Sequence, residues 1–345
     1  MKKHFIFIPF ILIFISAFTI NIFTEPAVLS QLLNPSKIVV GTDNIYILDN
    51  TSIYIYSKSD LSLKTKFGRK GEGPGEIPVS RRGSVSLTLK PLKDSIYLQS
   101  RNKVMYFDKK GKFIQEKRIK SGFVRGLLPV GKIYTGRSFS FGANRKTATS
   151  SVYLFDQNMN KKKELLKFNS TAGRGSFFKI YFPGNIFLLR TYKKKIYIVK
   201  DKNFKIEVFD INGNSLTDIK FDYKPLKVSS EKKQEIKNYY KNDSNFSNFW
   251  SRIKKFFSIS DTYPAIKKFF VSNNQIYIQT YKENNGKIEF FILSTNGKII
   301  KKHYLPLAKK NAIEDYPFDI NGGKLYQLVE NEDEEEWELN ITVIN

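Results

Sequence analysis

Short runs of β-branched and aromatic residues recur along most of this chain, and they open in a shared way. The pair Ile-Tyr, or Leu-Tyr, stands at Ile45-Tyr46, Ile96-Tyr97, Ile133-Tyr134, Ile196-Tyr197, Ile276-Tyr277 and Leu325-Tyr326, at intervals of 37 to 80 residues. Each pair begins a short run such as Ile45-Tyr46-Ile47-Leu48, which predicts a strand. A second strand follows most of them and ends in an aromatic, as in Val104-Met105-Tyr106-Phe107, Val152-Tyr153-Leu154-Phe155 and Ile206-Glu207-Val208-Phe209. Then comes a tight turn, Asp108-Lys109-Lys110-Gly111, Asp210-Ile211-Asn212-Gly213 or Ser294-Thr295-Asn296-Gly297. The first residue caps the turn and the glycine accepts a left-handed backbone. A further strand leaves the turn, as at Lys112-Phe113-Ile114. An apolar segment also precedes each Ile-Tyr pair, at 37–40, 84–89, 122–128, 185–190, 266–271 and 317–320. Four strands per unit and six units predict an all-β chain folded as a six-bladed β-propeller.

The sixth unit reaches Asn345 just after its third strand. Residues 26–36 are expected to supply the missing outer strand and close the ring, which removes two exposed sheet edges at once.

Residues 229–258 interrupt the repeats as a helical insertion between blades 4 and 5. Phe246, Phe249, Trp250, Ile253, Phe256 and Phe257 fall at helical spacing, with Arg252, Lys254 and Lys255 off that face. A helix over 246–257 capped by Ser244 is predicted, with a shorter one from Glu231 to Tyr240. Its apolar face, with Phe249, Trp250, Ile253 and Phe256, either packs on the ring, closes over the channel as a lid, or lies on a membrane surface.

The first 25 residues read differently. Lys2 and Lys3 precede an uncharged stretch from Phe5 to Phe23, a basic segment followed by an apolar one. This predicts either a cleaved signal peptide or an N-terminal membrane anchor. The exported body is then 26–345, extracytoplasmic or periplasmic, secreted or held at the membrane by its N-terminal segment.

The run Phe67-Gly68-Arg69-Lys70-Gly71-Glu72-Gly73-Pro74-Gly75-Glu76-Ile77 resembles the linker between blades of NHL-repeat-like six-bladed β-propellers of the bacterial exported type. Ile96-Tyr97-Leu98 through Asn102-Lys103-Val104, then Phe107-Asp108 to Gly111-Lys112-Phe113, resembles the body of the same repeat. Asp261-Thr262-Tyr263-Pro264 is similar to the start of a blade. The resemblance covers 37–345. It implies ligands at the axial channel or front loops, and its members include binding proteins, lyases and lactone hydrolases.

Composition narrows the chemistry. The chain has no Cys and two His, which excludes disulfides, thiol catalysis and His- or Cys-built metal sites. The lyase relatives need several metal-binding His that are absent here. Lys and Arg number 58 against 32 Asp and Glu, a formal charge of +26. Such an excess follows from an Asn-, Lys- and Ile-rich composition, or serves attraction to polyanions. Gly68–Gly75 is no phosphate cradle, because Pro74 interrupts it and no Gly-Lys-Ser/Thr follows. Gly68, Gly71, Gly73 and Gly75 instead suit a tight crossing between blades, with Glu72 and Glu76 capping its amides or, alternatively, acting as an acid/base pair.

Arginines are scarce beside lysines. Arg82, Arg125 and Arg190 fall on or near first strands, which line a propeller's channel, and are expected to converge on an anionic ligand. The acidic run Glu332 to Glu336 tops the last hairpin, and His303 sits on an outer strand. The expected function is a non-catalytic, monomeric binding or interaction module at the cell envelope, taking a protein partner or an anionic ligand and no cofactor. The alternatives are a calcium-dependent, lactonase-like hydrolase or lyase on a sugar-derived substrate, and polyanion or nucleic-acid binding through a basic face. Export and the scattering of aromatics away from basic residues weigh against nucleic acid.

Overall fold

A computed structural model describes residues 26–344 apart from 81–84, 121, 142–147, 171–179, 184–186, 201, 244–245 and 255–256. Six antiparallel four-stranded sheets follow one another along the chain. Blade 1 comprises Pro35–Val40, Asn44–Asp49, Ser52–Ser57 and Leu63–Phe67, and blade 2 comprises Leu87–Pro91, Ile96–Ser100, Lys103–Phe107 and Phe113–Arg118. Blade 3 is Val124–Val130, Ile133–Phe141, Ala148–Phe155 and Lys161–Ser170, and blade 4 is Leu188–Tyr192, Lys195–Val199, Lys205–Asp210 and Ile219–Lys220. Blade 5 is Lys268–Ser272, Gln275–Asn284, Lys287–Ser294 and Ile299–Pro306. Blade 6 takes Phe318–Asn321, Lys324–Asn331 and Glu336–Val343 from the C-terminal end and Ala27–Val28 from the other. The first-named strand of each blade 1 to 6 is its innermost, and each inner strand neighbours the next around a closed ring. The front face is the end where inner strands turn into second strands, and the rear face is where inner strands begin.

Ala27 pairs with Leu339 and Val28 with Glu338, so the expected closing strand is present, though only two residues long. The remaining closure is made by side chains. Leu29 and Leu32 are buried between blades 6 and 1, and buried Asp49 accepts the amides of Leu33 at 2.6 Å and Asn34 at 3.1 Å.

Six apolar clusters fill the six gaps between blades. A blade buries both faces, so its middle strands are apolar at nearly every position, as in Asn44–Asp49. The Ile-Tyr pair follows directly. In blades 1, 2, 4, 5 and 6 the aliphatic residue packs toward the preceding blade and the Tyr toward the next. Blade 3 reverses this: Tyr134 faces blade 2 and Ile133 faces blade 4. The register gives the cause. In blades 4 to 6 a residue separates the two-residue hairpin from the aliphatic position, whereas Ile133 follows the hairpin at once and pairs with Val130. A slip of one residue exchanges the faces of a strand.

The insertion departs from its prediction. Helix Ser230–Asn242 forms, with the Ser229 side chain accepting the Lys232 amide at 3.2 Å. The second helix does not span 246–257. It is a 3-10 turn, Ser247–Phe249, and one helical turn, Trp250–Ile253, after which Phe257–Ile259 pairs in parallel with Ile180–Phe182. The sheet partner supplied by the segment ahead of blade 4 outcompetes the helical pattern at Phe257. The proposed cap Ser244 and lid residue Phe256 lie outside the described residues. Trp250 packs edge-on to Phe257, and Tyr240 contacts both Phe246 and Phe257.

Candidate functional site

A cavity of about 1280 Å³ runs along the axis to the front face. Its wall is built from the inner strands. Blades 1, 2, 4, 5 and 6 place Lys37, Lys90, Arg190, Lys268 and Asp319 in it, and blade 3 contributes Gly126 and Leu128. The rim adds Lys64, Lys93, Lys109 and Asp43.

These groups act on one another. Burial, and then the charge of Arg190, push the ammonium groups of both Lys37 and Lys90 down to about 8. Burial lowers Arg190 and Lys268 as well, against the attraction of Asp319 for the first and Asp315 for the second. Burial raises Asp319 to about 6, although its carboxylate accepts the Val40 amide at 2.7 Å and the Ile320 amide at 2.9 Å. Four cations thus crowd an axis that holds one carboxylate, and among the described residues Lys268 alone of the four has an ion pair outside it, with Asp315 at 3.6 Å. Two like charges drawn out of water destabilise each other, so the cluster is costly when empty of counter-charge.

Some of these charges also stitch the ring. Lys37 donates to the Leu87 carbonyl of blade 2. Lys90 donates to Pro129 of blade 3 at 3.3 Å and to Thr191 of blade 4 at 3.1 Å. Arg190 is different. One guanidinium nitrogen donates to its neighbour's carbonyl, Leu189, at 2.9 Å, and the group lies near the rings of Phe269 and Phe270. Among the described residues its other N–H groups meet no acceptor.

Of the three arginines predicted to converge, Arg190 alone lines this cavity among the described residues. Arg82 lies outside them. Arg125 begins the blade 3 inner strand on the rear side, exposed, with its guanidinium over Phe123 at 4.7 Å. A break in register between Arg125 and Leu128 re-aims it away from the axis.

The lysines were missed because lysine is everywhere in this sequence, yet a signal exists. Lys90, Arg190 and Asp319 each pair directly with the Tyr of their blade's repeat, Tyr97, Tyr197 and Tyr326. They stand seven residues before it. Lys37 and Lys268 stand nine residues before Tyr46 and Tyr277. A two-residue period keeps both positions on one strand face.

The glycine-rich linker is a crossing between blades 1 and 2. Glu76 accepts the Gly73 amide at 2.9 Å and pairs with Arg69 at 2.6 Å. Glu72 pairs with Arg101 at 2.9 Å, in solvent. A side chain at Gly71 would collide with Glu76, and one at Gly75 with Phe113. The two carboxylates hold this loop, each through an arginine of its own.

A second cavity, about 530 Å³, lies between helix Ser230–Asn242, blade 5 and the 309–315 connection. Its charges are largely paired: Lys267 with Asp315, Lys232 with Glu235, and Lys309 with Glu283. The described insertion residues lean here rather than on the axial cavity. Glu332 to Glu335 form the exposed turn of the blade 6 hairpin, Glu336 opens its last strand, and His303 sits on the outer strand of blade 5. No helix among the described residues is long and apolar enough to cross a membrane.

A member of the DUF4221 family from Bacteroides vulgatus is similar at 11% identity and a TM-score of 0.53, over 93% of this chain and 95% of that one. A luciferin-regenerating enzyme shares 10% identity at a TM-score of 0.45, over 93% of this chain and 96% of that one. The WD40 domain of Neurospora crassa Pan2 shares 9% at 0.44, over 90% and 89%. A search of curated proteins finds no match. The DUF5128 family, described as a 6-bladed beta-propeller, matches residues 29–317 without naming an NHL repeat. The chain therefore belongs to the DUF5128 family of six-bladed β-propellers.

Proposed function

We propose that this propeller is a non-catalytic binding module at the cell envelope that holds an anionic ligand in its axial cavity. The observation that carries the reading is the convergence of Lys37, Lys90, Arg190 and Lys268 on an axis whose one carboxylate is Asp319. A ligand carboxylate or phosphate would receive the free N–H groups of Arg190 and relieve the mutual repulsion of the cations. The ring supplies a rigid wall, so little ordering cost attends binding. The basic and apolar pattern of residues 1–23 supports export, with the N-terminal segment either removed or left as an anchor.

The charge of the cavity disfavours the calcium-dependent hydrolase reading. Among the described residues no three Asp, Glu or His side chains group to hold a metal ion. The carboxylates of the cavity, Asp319 on its wall and Asp43 at its rim, stand among seven cationic side chains.

The test is a thermal-shift panel on the full-length protein with glucuronate, succinate and glucose 6-phosphate, at two salt concentrations. A ligand that binds only the folded state raises the melting temperature. The expected result is a rise with at least one acid that Arg190→Met abolishes. No rise with any acid, or a rise unchanged in Arg190→Met, overturns the reading.

A further inference from the structure

Blade 3 carries a feature that the axial site does not use. Arg125 and Arg137 are direct cross-strand partners, so two guanidinium groups stand side by side. Phenylalanine rings hold them. Arg125 lies 4.7 Å from the ring centre of Phe123 and 5.8 Å from that of Phe139. Arg137 lies 4.4 Å from Phe139, 4.7 Å from Phe187 and 5.3 Å from Phe168. Basic and aromatic side chains therefore interleave here, contrary to the scattering that the sequence indicates.

Like charges directly opposite each other on a sheet are destabilising unless something compensates. Nothing acidic does so among the described residues. Neither arginine has a carboxylate partner there, and residues 117–155 and 165–200 contain no Asp or Glu at all. The Arg137 side chain donates to Ser150 at 2.8 Å, while its buried Nε has no acceptor. Burial, and then Arg125, push Arg137 down to about 10. Arg125 is exposed and ready to meet an acid group.

Phe187 links this ladder to the axis. It stacks under Arg137, and it is also part of the axial cavity wall, three residues before Arg190. The ladder and the axial cavity therefore meet at one ring, Phe187, the junction of the track that a ligand would follow from Arg125 and Arg137 toward Arg190. Resting on the axial reading above, we infer that the ligand is an elongated acidic oligosaccharide whose successive carboxylates occupy the axial cluster and the Arg125–Arg137 ladder.

Two observations select this class. Phe123, Phe139 and Phe187 each carry a guanidinium group over the ring, and Phe123 alone of the three is exposed, at 56%. Single-stranded nucleic acid needs several exposed rings. The axial wall also presents the hydroxyls of Thr42 and Thr88 and the amide of Asn44, groups that suit the hydroxyls of a sugar.

The experiment is calorimetric titration of full-length protein with galacturonate as monomer, trimer and hexamer, and with a hexathymidylate strand. Wild-type protein is expected to bind the hexamer about tenfold or more tighter than the monomer. Arg125→Ala, at an exposed position, is expected to leave monomer affinity unchanged and remove most of the hexamer gain. Arg190→Met is expected to weaken both. A hexamer no tighter than the monomer, or a gain untouched by Arg125→Ala, overturns the inference and leaves the axial reading standing. Absence of monomer binding, with hexamer binding that depends on Arg125 and not Arg190, overturns the axial reading and the continuous track together. Hexathymidylate binding as tight as the hexamer overturns the sugar class.

Discussion

Lys90 of blade 2 and Thr191 of blade 4 are joined across the ring, the ammonium donating to the threonine carbonyl at 3.1 Å past the inner strand of blade 3. The bond ties three blades together, yet burial and the Arg190 charge still lower Lys90 to about 8. Its native value is below its unfolded one, so the folded state binds fewer protons between about pH 8 and 10.5. Stability therefore rises with pH through that window, and the cost of the buried charge is fully present below it. Against Lys90→Met, wild-type protein is expected to gain roughly 2–3 kcal/mol between pH 7.5 and pH 10, read from urea unfolding. A constant difference between the two proteins would refute the burial of a charged Lys90.

Asp319 carries the opposite sign. Its carboxyl is raised to about 6 by burial, so the folded state holds a proton that the unfolded chain releases near pH 4. Its contribution is lost as pH rises from about 4 to 6. The stability of wild type relative to Asp319→Asn should fall by roughly 2–3 kcal/mol between pH 4 and pH 6.5. The comparison cancels the titration of other carboxylates. The substitution should also tighten anion binding, since it removes the one axial negative charge.

Ring closure rests on Asp49 more than on the two-residue strand Ala27–Val28. Asp49→Ala would leave the amides of Leu33 and Asn34 without their acceptor and loosen Leu29 and Leu32 from the cluster between blades 6 and 1. The expected loss is about 2–4 kcal/mol, measured as a lower urea midpoint. An unchanged midpoint would show that closure depends on the backbone pairing alone.

Gly68 and Gly122 both have left-handed backbones, at φ 97° and 79°. A side chain at Gly68 would meet the Thr51 carbonyl at 2.5 Å, whereas Gly122 faces open space. Gly122→Ala should cost about 1–2 kcal/mol, from backbone strain. Gly68→Ala should cost clearly more, and equal costs would mean that the linker yields freely at the crossing.

Much of this architecture is legible in the sequence because a blade buries both of its faces. That makes the middle strands apolar at consecutive positions, and the Ile-Tyr pair marks the point where each enters the core. The insertion was less legible. Periodicity over 246–257 sees only local chemistry, whereas Phe257–Ile259 is claimed by a strand some 75 residues away in sequence, Ile180–Phe182. The site was partly legible for a related reason. Arg190 stood out by its rarity, but Lys37, Lys90 and Lys268 are distinguished from other lysines only by their register against the repeat tyrosines. Arg125 lies on the expected strand, and the register break beside it turns it outward, which spacing alone does not reveal.

The central claim, that buried cations on the axis form an anion site, is tested most directly by calorimetric titration of galacturonate into full-length protein at pH 7 and pH 9.5, each in two buffers of different ionisation heat. Lys37 and Lys90 are charged at pH 7 and largely neutral at pH 9.5, and the bound acid favours their charged forms. The account predicts weaker binding at pH 9.5, accompanied by uptake of up to two protons per ligand that is absent at pH 7. Equal affinity at both pH values without proton uptake, or no binding at pH 7, would contradict it.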